Sequence, residues 1–187
     1  MDYKLTILVP TLPTRKHFYD RLRATLAYQA LDTGLYFKVQ DDDDTDCSIG
    51  VKRQRMMGKV ETPYMAFFDD DDMPGPNYIA KLFEGMEKGV DCCSLHGIIT
   101  TDGRDPKHFY HSIQHTEMYE RDNVYYRPPN HINCIKTELA KQCVFPDWQR
   151  SEDSNFCFQL RDKGLLKTEH VIDEVIYHYL YVSDKKY

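Results

Sequence analysis

The sequence has no glycine-rich loop of the kind that cradles phosphates. Its nine glycines form neither the G-x-G-x-x-G pattern of dinucleotide-binding folds nor a Walker A loop. The six cysteines form no C-x-x-C pair and lack zinc-ribbon spacing, which argues against a structural zinc site. If this chain handles a nucleotide, the phosphates must therefore be held in another way.

Long apolar runs and an excess of positive charge are also missing. No stretch is long enough to span a bilayer, and the N-terminus lacks the apolar core of a signal peptide, so we expect a cytoplasmic protein with reduced thiols. The net charge of −6 disfavours a broad nucleic-acid surface, although it is compatible with a local basic groove. Tryptophan occurs once, whereas the 14 tyrosines suit wet clefts or the edge of a core.

The most unusual feature present is a pair of four-aspartate runs, at 41–44 and 69–72. Carboxylates this close repel each other, so such a run is commonly a solvated turn, but it can also bind a cation. An EF-hand is excluded for the first run, because Cys47 occupies the glycine position and Arg53 the position of the final glutamate. The flanking sequence must distinguish a solvated turn from a cation-binding site.

Residues 1–90 alternate between strand and helix patterns, which predicts a parallel sheet with helices on both faces. Residues 91–187 contain shorter apolar segments, and we interpret them as an extension of the same sheet within one domain, 1–187. Thr14 and Ser151 are predicted helix caps. The predicted strands are 5–9, 35–40, 64–68, 91–100, 132–136 and 175–182, and the predicted helices are 15–30, 49–59, 77–88, 137–142 and 152–163.

Three polar segments follow the first three predicted strands. Pro10 and Thr11 follow the first strand, and the two aspartate runs follow the second and third. Ligands of open parallel sheets bind beyond the carboxyl ends of the strands, so these segments are expected to meet at one edge. Mg²⁺ and Mn²⁺ prefer carboxylate oxygens, and Mg²⁺ commonly uses one or two carboxylates together with substrate phosphates. A metal-held nucleotide is therefore predicted.

Four segments in this order also carry a family resemblance: V-P-T at 9–11, D-D-D-D-T-D at 41–46, K-R-Q at 52–54 and F-F-D-D-D-D at 67–72. They resemble the nucleotide-binding half of the GT-A glycosyltransferases of family 2. The resemblance implies an α/β, Rossmann-like GT-A fold with a mostly parallel sheet flanked by helices. Residues 1–90 would form its nucleotide-binding half and 91–187 its acceptor-binding half. Gln54, Met56 and Asp44 replace the usual Asn, Gly and Ser, which leaves the donor open.

The resemblance further implies roles for individual residues. The donor would be a nucleotide sugar, in the first place a UDP-sugar, and the cofactor Mn²⁺ or Mg²⁺. Asp71 would lie nearest the metal and Asp69 toward the ribose or a metal-bound water, with Asp72 in support. Asp41 or Asp42 would hydrogen-bond the nucleobase of the donor, and Arg53 would lie near the nucleobase or the diphosphate. The residues implied in donor binding are Pro10, Thr11, Asp41, Asp42, Arg53, Asp69 and Asp70.

The second half supplies the candidate base. Glu152 and Asp153 stand at a predicted helix start and resemble the family's E-D motif, in which the aspartate deprotonates the acceptor; Glu152 would help or contact the acceptor. Acids are also favoured at helix starts for electrostatic reasons alone. On the last predicted strand, His178 is a candidate third metal ligand or, equally, a packed histidine. The R-P-P-N-H segment at 127–131 is similar to small phage and large-virus glycosyltransferases, which would place the chain in a host cytoplasm.

These expectations combine into an inverting glycosyl transfer from a nucleotide sugar to a hydroxyl group. The acceptor could be a glycan, a glycoprotein or, against the acidic net charge, a modified DNA base. Segment 104–127 is expected to be a loop that closes over the donor. One alternative is a nucleotidyltransferase acting on a sugar phosphate. Such an enzyme would more naturally have a first loop rich in glycine and basic residues, whereas residues 11–16 contain no glycine. A second is a nucleotide-sugar-binding domain without catalysis.

Overall fold

The structure is a computed structural model that describes residues 3–183. The first half contains the three predicted strand–helix units. A single 3-10 turn at Pro13–Arg15 precedes the first helix, and a two-residue strand follows the second aspartate run. In chain order the elements are β1 Leu5–Pro10, α1 Lys16–Thr33, β2 Lys38–Asp42, α2 Ile49–Gly58, β3 Tyr64–Phe67, β4 Met73–Pro74 and α3 Tyr78–Glu87.

The second half is richer in strands than its sequence pattern suggests. The segment 104–127, predicted to be a mobile loop, forms three strands instead, so that prediction of its conformation was wrong. The elements are β5 Cys92–Cys93, β6 Leu95–Thr101, β7 Arg104–His111, β8 Tyr119–Arg121, β9 Val124–Arg127, β10 Ile135–Lys136, α4 Thr137–Ala140, α5 Glu152–Asp162, β11 Glu169–His170 and β12 Tyr177–Tyr181.

The strands form two six-stranded mixed sheets. The first has the order β11-β5-β10-β3-β1-β2, in which β3, β1 and β2 are parallel and β10 runs antiparallel to both of its neighbours. The second has the order β4-β12-β6-β7-β9-β8. The α/β prediction is confirmed, but the second half builds a sheet of its own rather than only extending the first. Pairing between strands far apart in sequence decides this, and local periodicity does not report it.

The first sheet is buried on both faces. Along β1, Leu5, Ile7 and Val9 pack into one apolar cluster with α1 and α3, while Leu8 packs into a second cluster with α2 and α5. All four side chains are fully buried. Alternate residues of a strand point to opposite faces, so helices cover both sides of β1. The carboxyl end of this rigid layer is where the acidic segments emerge.

Two predicted caps have different geometry. Arg15, not Thr14, precedes α1, and no side chain caps that helix. Ser151 does precede α5, but its backbone is left-handed, with φ of 64°, and its side chain makes no capping hydrogen bond. Helix α1 ends at Gly34, which has the left-handed φ of 68° that glycine adopts readily. Among residues 3–183, no helix is long and apolar enough to cross a membrane.

Candidate active site

The second aspartate run lies at the carboxyl end of β3, and its four side chains point in different directions. Asp69 and Asp72 line a cavity between the two sheets, whereas Asp70 and Asp71 turn toward the loop after β1. Asp70 and Asp72 are almost completely buried. Because β3 is short and entirely buried, the chain delivers the run directly to the sheet edge, as the sequence predicted.

Arg15 binds the two aspartates that turn away from the cavity. Its guanidinium forms an ion pair with Asp70 and another with Asp71, the latter at 2.9 Å. Thr11 Oγ1 donates to Asp70 Oδ2 at 2.6 Å, and Lys52 Nζ donates to the carbonyl of Thr11 at 2.7 Å. Burial raises the pKa of Asp70, while Thr11 and Arg15 oppose that rise. Arg15 and Lys52 were missed by the sequence reasoning, although both lie close to predicted ligand loops.

Arg53 joins the two halves of the chain. Its Nη2 donates to Asp69 Oδ1 at 2.9 Å, and its Nε lies 3.3 Å from Glu152 Oε1. Arg53 and Glu152 are both about 95% buried and do not line the cavity. Glu152 therefore positions Arg53, rather than facing a ligand in the cavity. A close approach of Gly50 to the carbonyl of Pro146, where a Cβ would lie 1.8 Å away, brings α2 against the segment before α5.

Asp153 faces the cavity from the start of α5. Its Oδ2 lies 4.0 Å from Nδ1 of His131 and 3.7 Å from Nη1 of Arg127, while His131 Nε2 lies 3.6 Å from Asp69 Oδ2. Burial would raise the pKa of Asp153, but His131, the charges of Arg127 and Arg53, and a hydrogen bond from the backbone of Ser154 outweigh it, so the pKa is lowered. Asp153 is therefore ionised at neutral pH, the state that accepts a proton.

His131 separates the two cavity carboxylates and was not assigned a role from the sequence. It is 6% exposed, and neither ring nitrogen has a partner within hydrogen-bonding distance. Burial and the nearby Arg53 charge lower its pKa, so the ring is neutral at pH 7. Buried polar atoms without a partner are uncommon in proteins. A polar ligand in the cavity would supply the missing hydrogen bonds.

Asp72 carries the clearest sign of crowded negative charge. Burial, followed by the charges of Asp69 and Asp71, raises its pKa well above the ordinary value. Tyr177 donates its hydroxyl to Asp72 at 2.8 Å, and the amide of Leu180 donates at 2.9 Å. A divalent cation would relieve this repulsion. Among the described residues no cluster of three metal-ligating side chains exists, but a phosphate-bridged Mg²⁺ needs only one or two carboxylates.

The first aspartate run lies at the end of β2, on the same sheet edge, and is largely solvated. Arg55 Nε and Nη2 donate to Asp42 at 2.8 and 2.7 Å, and its Nη1 donates to Asp44 at 2.9 Å. Tyr19 donates its hydroxyl to Asp41 at 2.8 Å. Pro10 lies opposite Asp42 in the parallel pair of β1 and β2. The predicted base-binding residues therefore lie together, with Arg55 as an additional partner that the sequence reasoning missed.

His178 lies on the other face of the second sheet. Its neighbours Tyr177 and Tyr179 line the cavity, and side chains alternate along β12, so the imidazole points away from it. The structure does not bring His178 together with Asp69 and Asp71. His111, by contrast, is buried and lines the cavity.

The cavity has a volume of about 560 Å³, within the range of small-molecule sites. Its carboxylate side comes from the first sheet and α5, and its opposite wall is apolar and aromatic. The lining residues are Asp69, Asp72, Ile99, Phe109, His111, Met118, Tyr119, Glu120, Tyr125, Tyr126, Arg127, Asn130, His131, Ile132, Asp153, Tyr177 and Tyr179.

Known structures share this architecture, although no family model and no curated protein matches the sequence. Residues 1–349 of TarS from S. aureus, in complex with UDP-GlcNAc, match with a TM-score of 0.65 at 16% identity over 97% of this chain. The catalytic domain of Drosophila β1,4-galactosyltransferase 7, in complex with xylobiose, matches with a TM-score of 0.58 at 16% identity over 93% of this chain. This chain spans 60% and 67% of those two chains. The protein therefore has the GT-A glycosyltransferase fold.

Proposed function

We propose that this chain transfers a sugar from a nucleotide-sugar donor, a UDP-sugar, to an acceptor hydroxyl with inversion at the anomeric carbon. The observation that carries the proposal is the convergence of Asp69 and Asp153 on one cavity, on either side of His131. Asp69 follows a strand of the parallel part of the sheet, where nucleotides bind in open α/β folds. Asp153 comes from the second half and supplies a base.

The donor would lie along the carboxyl edge of β1, β2 and β3. Pro10, Thr11 and the Asp41–Asp42 pair stand near its base and ribose, and Arg53 near its diphosphate. Asp69 and Asp71 would hold Mn²⁺ or Mg²⁺, with Asp72 in support and Asp70 fixing the loop through Thr11. The bound cation would neutralise charge that develops on the leaving diphosphate. Asp71 turns away from the cavity and is paired with Arg15, so on metal and donor binding its carboxylate would leave that ion pair and turn toward Asp69.

Asp153 would act as the general base. The acceptor oxygen attacks the anomeric carbon from the face opposite the diphosphate, its proton passes to an Asp153 carboxylate oxygen, and the diphosphate leaves with the bonding electrons. The lowered pKa keeps Asp153 ionised, and the guanidinium of Arg127, 3.7 Å away, faces its carboxylate. Glu152 acts indirectly: it pairs with Arg53, and Arg53 donates a hydrogen bond to Asp69.

Donor binding and product stereochemistry test this function. UDP, UDP-glucose, UDP-galactose and UDP-GlcNAc are titrated in thermal-shift experiments with Mn²⁺, with Mg²⁺ and with chelator. We expect donor stabilisation only with metal. Equal stabilisation with chelator contradicts the metal-dependent model, and retention of anomeric configuration in a product analysed by NMR contradicts the inverting mechanism. Release of pyrophosphate instead of UDP would identify a nucleotidyltransferase, and donor binding without any transfer would identify a binding domain.

A further inference from the structure

The wall opposite the carboxylates is formed by one face of the second sheet. Phe109 pairs with Tyr125 between β7 and β9, and Ile99 pairs with Tyr179 between β6 and β12. All four line the cavity. Paired residues of adjacent strands point to the same face, so these side chains form one continuous apolar surface. This surface contributes no residue to the proposed donor site, and the proposed general base, Asp153, does not belong to it.

Lys107 holds Tyr125 in position at the edge of the cavity. Its ring is 38% exposed and lines the cavity. Lys107 Nζ donates to the Tyr125 hydroxyl at 3.2 Å and lies 4.8 Å from the ring centroid, and the same ammonium binds Glu120 at 2.8 Å. Met118 and Tyr119 continue the wall at the rim, and both are about 40% exposed. A preorganised ring with an accessible surface is suited to binding a flat, partly apolar ligand.

The charges around the cavity restrict the chemical classes of ligand that it can bind. Asp69, Asp72, Asp153 and Glu120 are acids, whereas Arg127 is the one arginine or lysine among the described residues that line the cavity. Lys107 and Arg53 pair with Glu120 and Asp69 and offset part of this negative charge, and the remaining negative charge disfavours a phosphodiester chain such as DNA. Carboxylates accept hydrogen bonds from hydroxyl groups, and both ring nitrogens of the buried His131 lack a hydrogen-bond partner. The polar side of the cavity therefore suits a neutral ligand rich in hydroxyl groups.

We propose that the acceptor is a neutral saccharide whose pyranose ring stacks its C–H face on Tyr125 and directs a hydroxyl group toward Asp153. A pyranose has this two-sided character, because its faces carry C–H groups and its edges carry hydroxyls. The aromatic wall matches the faces, and the carboxylates with His131 match the edges. This inference rests on the proposed glycosyl transfer, and it favours a glycan over a hydroxyl-bearing peptide or a modified DNA base.

The test measures saccharide binding separately from donor binding. Saturation-transfer NMR is recorded on the full chain with UDP and diamagnetic Mg²⁺ present, against lactose, maltose, cellobiose, xylobiose and chitobiose. We expect at least one disaccharide to show strong saturation of its ring C–H protons. Tyr125→Ala should weaken its affinity about tenfold or more, whereas Tyr125→Phe should retain most of it because the ring remains. Tyr28→Ala is the matched control, since Tyr28 is 68% exposed on α1 and lies outside the cavity.

The outcomes separate this inference from the function on which it rests. If neither UDP nor a UDP-sugar stabilises the wild-type chain with metal, the donor proposal fails first. If UDP binds but no disaccharide does, while a serine- or threonine-containing peptide or a hydroxymethylcytosine oligonucleotide binds, the saccharide inference is overturned and the donor proposal stands. Unchanged saccharide affinity in Tyr125→Ala also overturns it. UDP stabilisation measured on every variant detects misfolding, and Tyr179→Ala then provides a second test of the same wall.

Discussion

The two four-aspartate runs follow neighbouring parallel strands, yet their surroundings differ. In the run at 41–44, Asp41 and Asp43 are exposed, and Arg55 on the next helix binds Asp42 and Asp44 from the solvent side. In the run at 69–72 the last three aspartates are at least 91% buried.

The two runs also differ in their protonation behaviour. A backbone hydrogen bond from Asp46, followed by one from Arg55, lowers the pKa of Asp44, whereas burial and like charge raise that of Asp72 well above its usual range. Identical sequences thus acquire opposite properties. β3 is buried between two layers and the end of β2 is not, and this difference in burial explains the different pKa shifts of the two runs.

The largest expected effect lies across the cavity from the buried run. Asp153→Asn should reduce transfer on the order of a hundredfold to ten-thousandfold, because it removes the proton acceptor with little change in shape. Donor affinity, measured beside turnover, should be unchanged. Asp43→Asn in the exposed run is the control and should leave turnover at the wild-type rate. Wild-type turnover in Asp153→Asn would show that Asp153 is not the base, and Glu152 would be tested next.

The second prediction separates the two runs by their response to metal. Saturating UDP at about one hundred times its dissociation constant should stabilise the wild type by about 2.7 kcal/mol in the presence of Mn²⁺. Asp71→Ala should remove the Mn²⁺-dependent part of this stabilisation, since the carboxylate nearest the predicted metal is lost. Asp43→Ala should retain it. If both variants keep the same Mn²⁺ dependence in thermal-shift titrations, the proposal that the run at 69–72 binds the metal and the run at 41–44 does not is contradicted.

The third prediction concerns stability without metal. The pKa of Asp72 is raised in the folded state, so the folded chain holds this proton more tightly than the unfolded chain does. The resulting stability is present below the unfolded pKa and is lost as pH rises through the folded pKa. Asp72→Asn should therefore stabilise the metal-free protein at pH 7, because the amide carries no charge that burial and the neighbouring aspartates oppose.

Urea unfolding in chelator, recorded at low and neutral pH, measures this effect. The stabilising effect of Asp72→Asn should shrink toward low pH, where the wild-type carboxyl is protonated as well. Tyr177→Phe provides a partner test, because it removes the hydroxyl that donates to Asp72 and should destabilise the chain. A destabilised Asp72→Asn variant at neutral pH would show that the hydrogen bonds from Tyr177 and Leu180 outweigh the charge repulsion.

The smallest effect is expected in the exposed run. Arg55→Gln removes the ion pairs with Asp42 and Asp44, and solvent screens such pairs, so the thermal midpoint should fall only slightly. The difference from the wild type should vanish in high salt. UDP affinity should fall more clearly than stability if Arg55 orients the base-binding carboxylates. A salt-independent loss of stability would instead indicate that Arg55 packs as part of the core.

Sequence patterns predicted the first half of the fold well because its signals are local. Buried apolar runs defined β1 and β3, and their polar ends located the ligand edge at Thr11 and Asp69. The E-D pair at a helix start located Asp153. The second half was harder to predict, since β6, β7 and β12 join through pairings such as Tyr177 with Gly97, 80 positions apart. Segment 104–127 mixes polar and aromatic residues without a clear period, and only its strand pairing in the second sheet places its aromatic side chains along the cavity.

The amino-acid sequence by itself determined the α/β class, the order of the first strands and the acidic edge, because periodicity and strand ends are properties of neighbouring residues. The candidate base was implied by the family resemblance of the E-D pair at 152–153. Tertiary structure alone decided which carboxylates face the cavity, that Arg15 and Arg53 pair with the buried run, and that His178 points away from it. It also brought Tyr125 and Asp153 to the same cavity. These relations depend on side-chain direction and on contacts between distant segments, which electrostatics and packing fix only when the chain is folded.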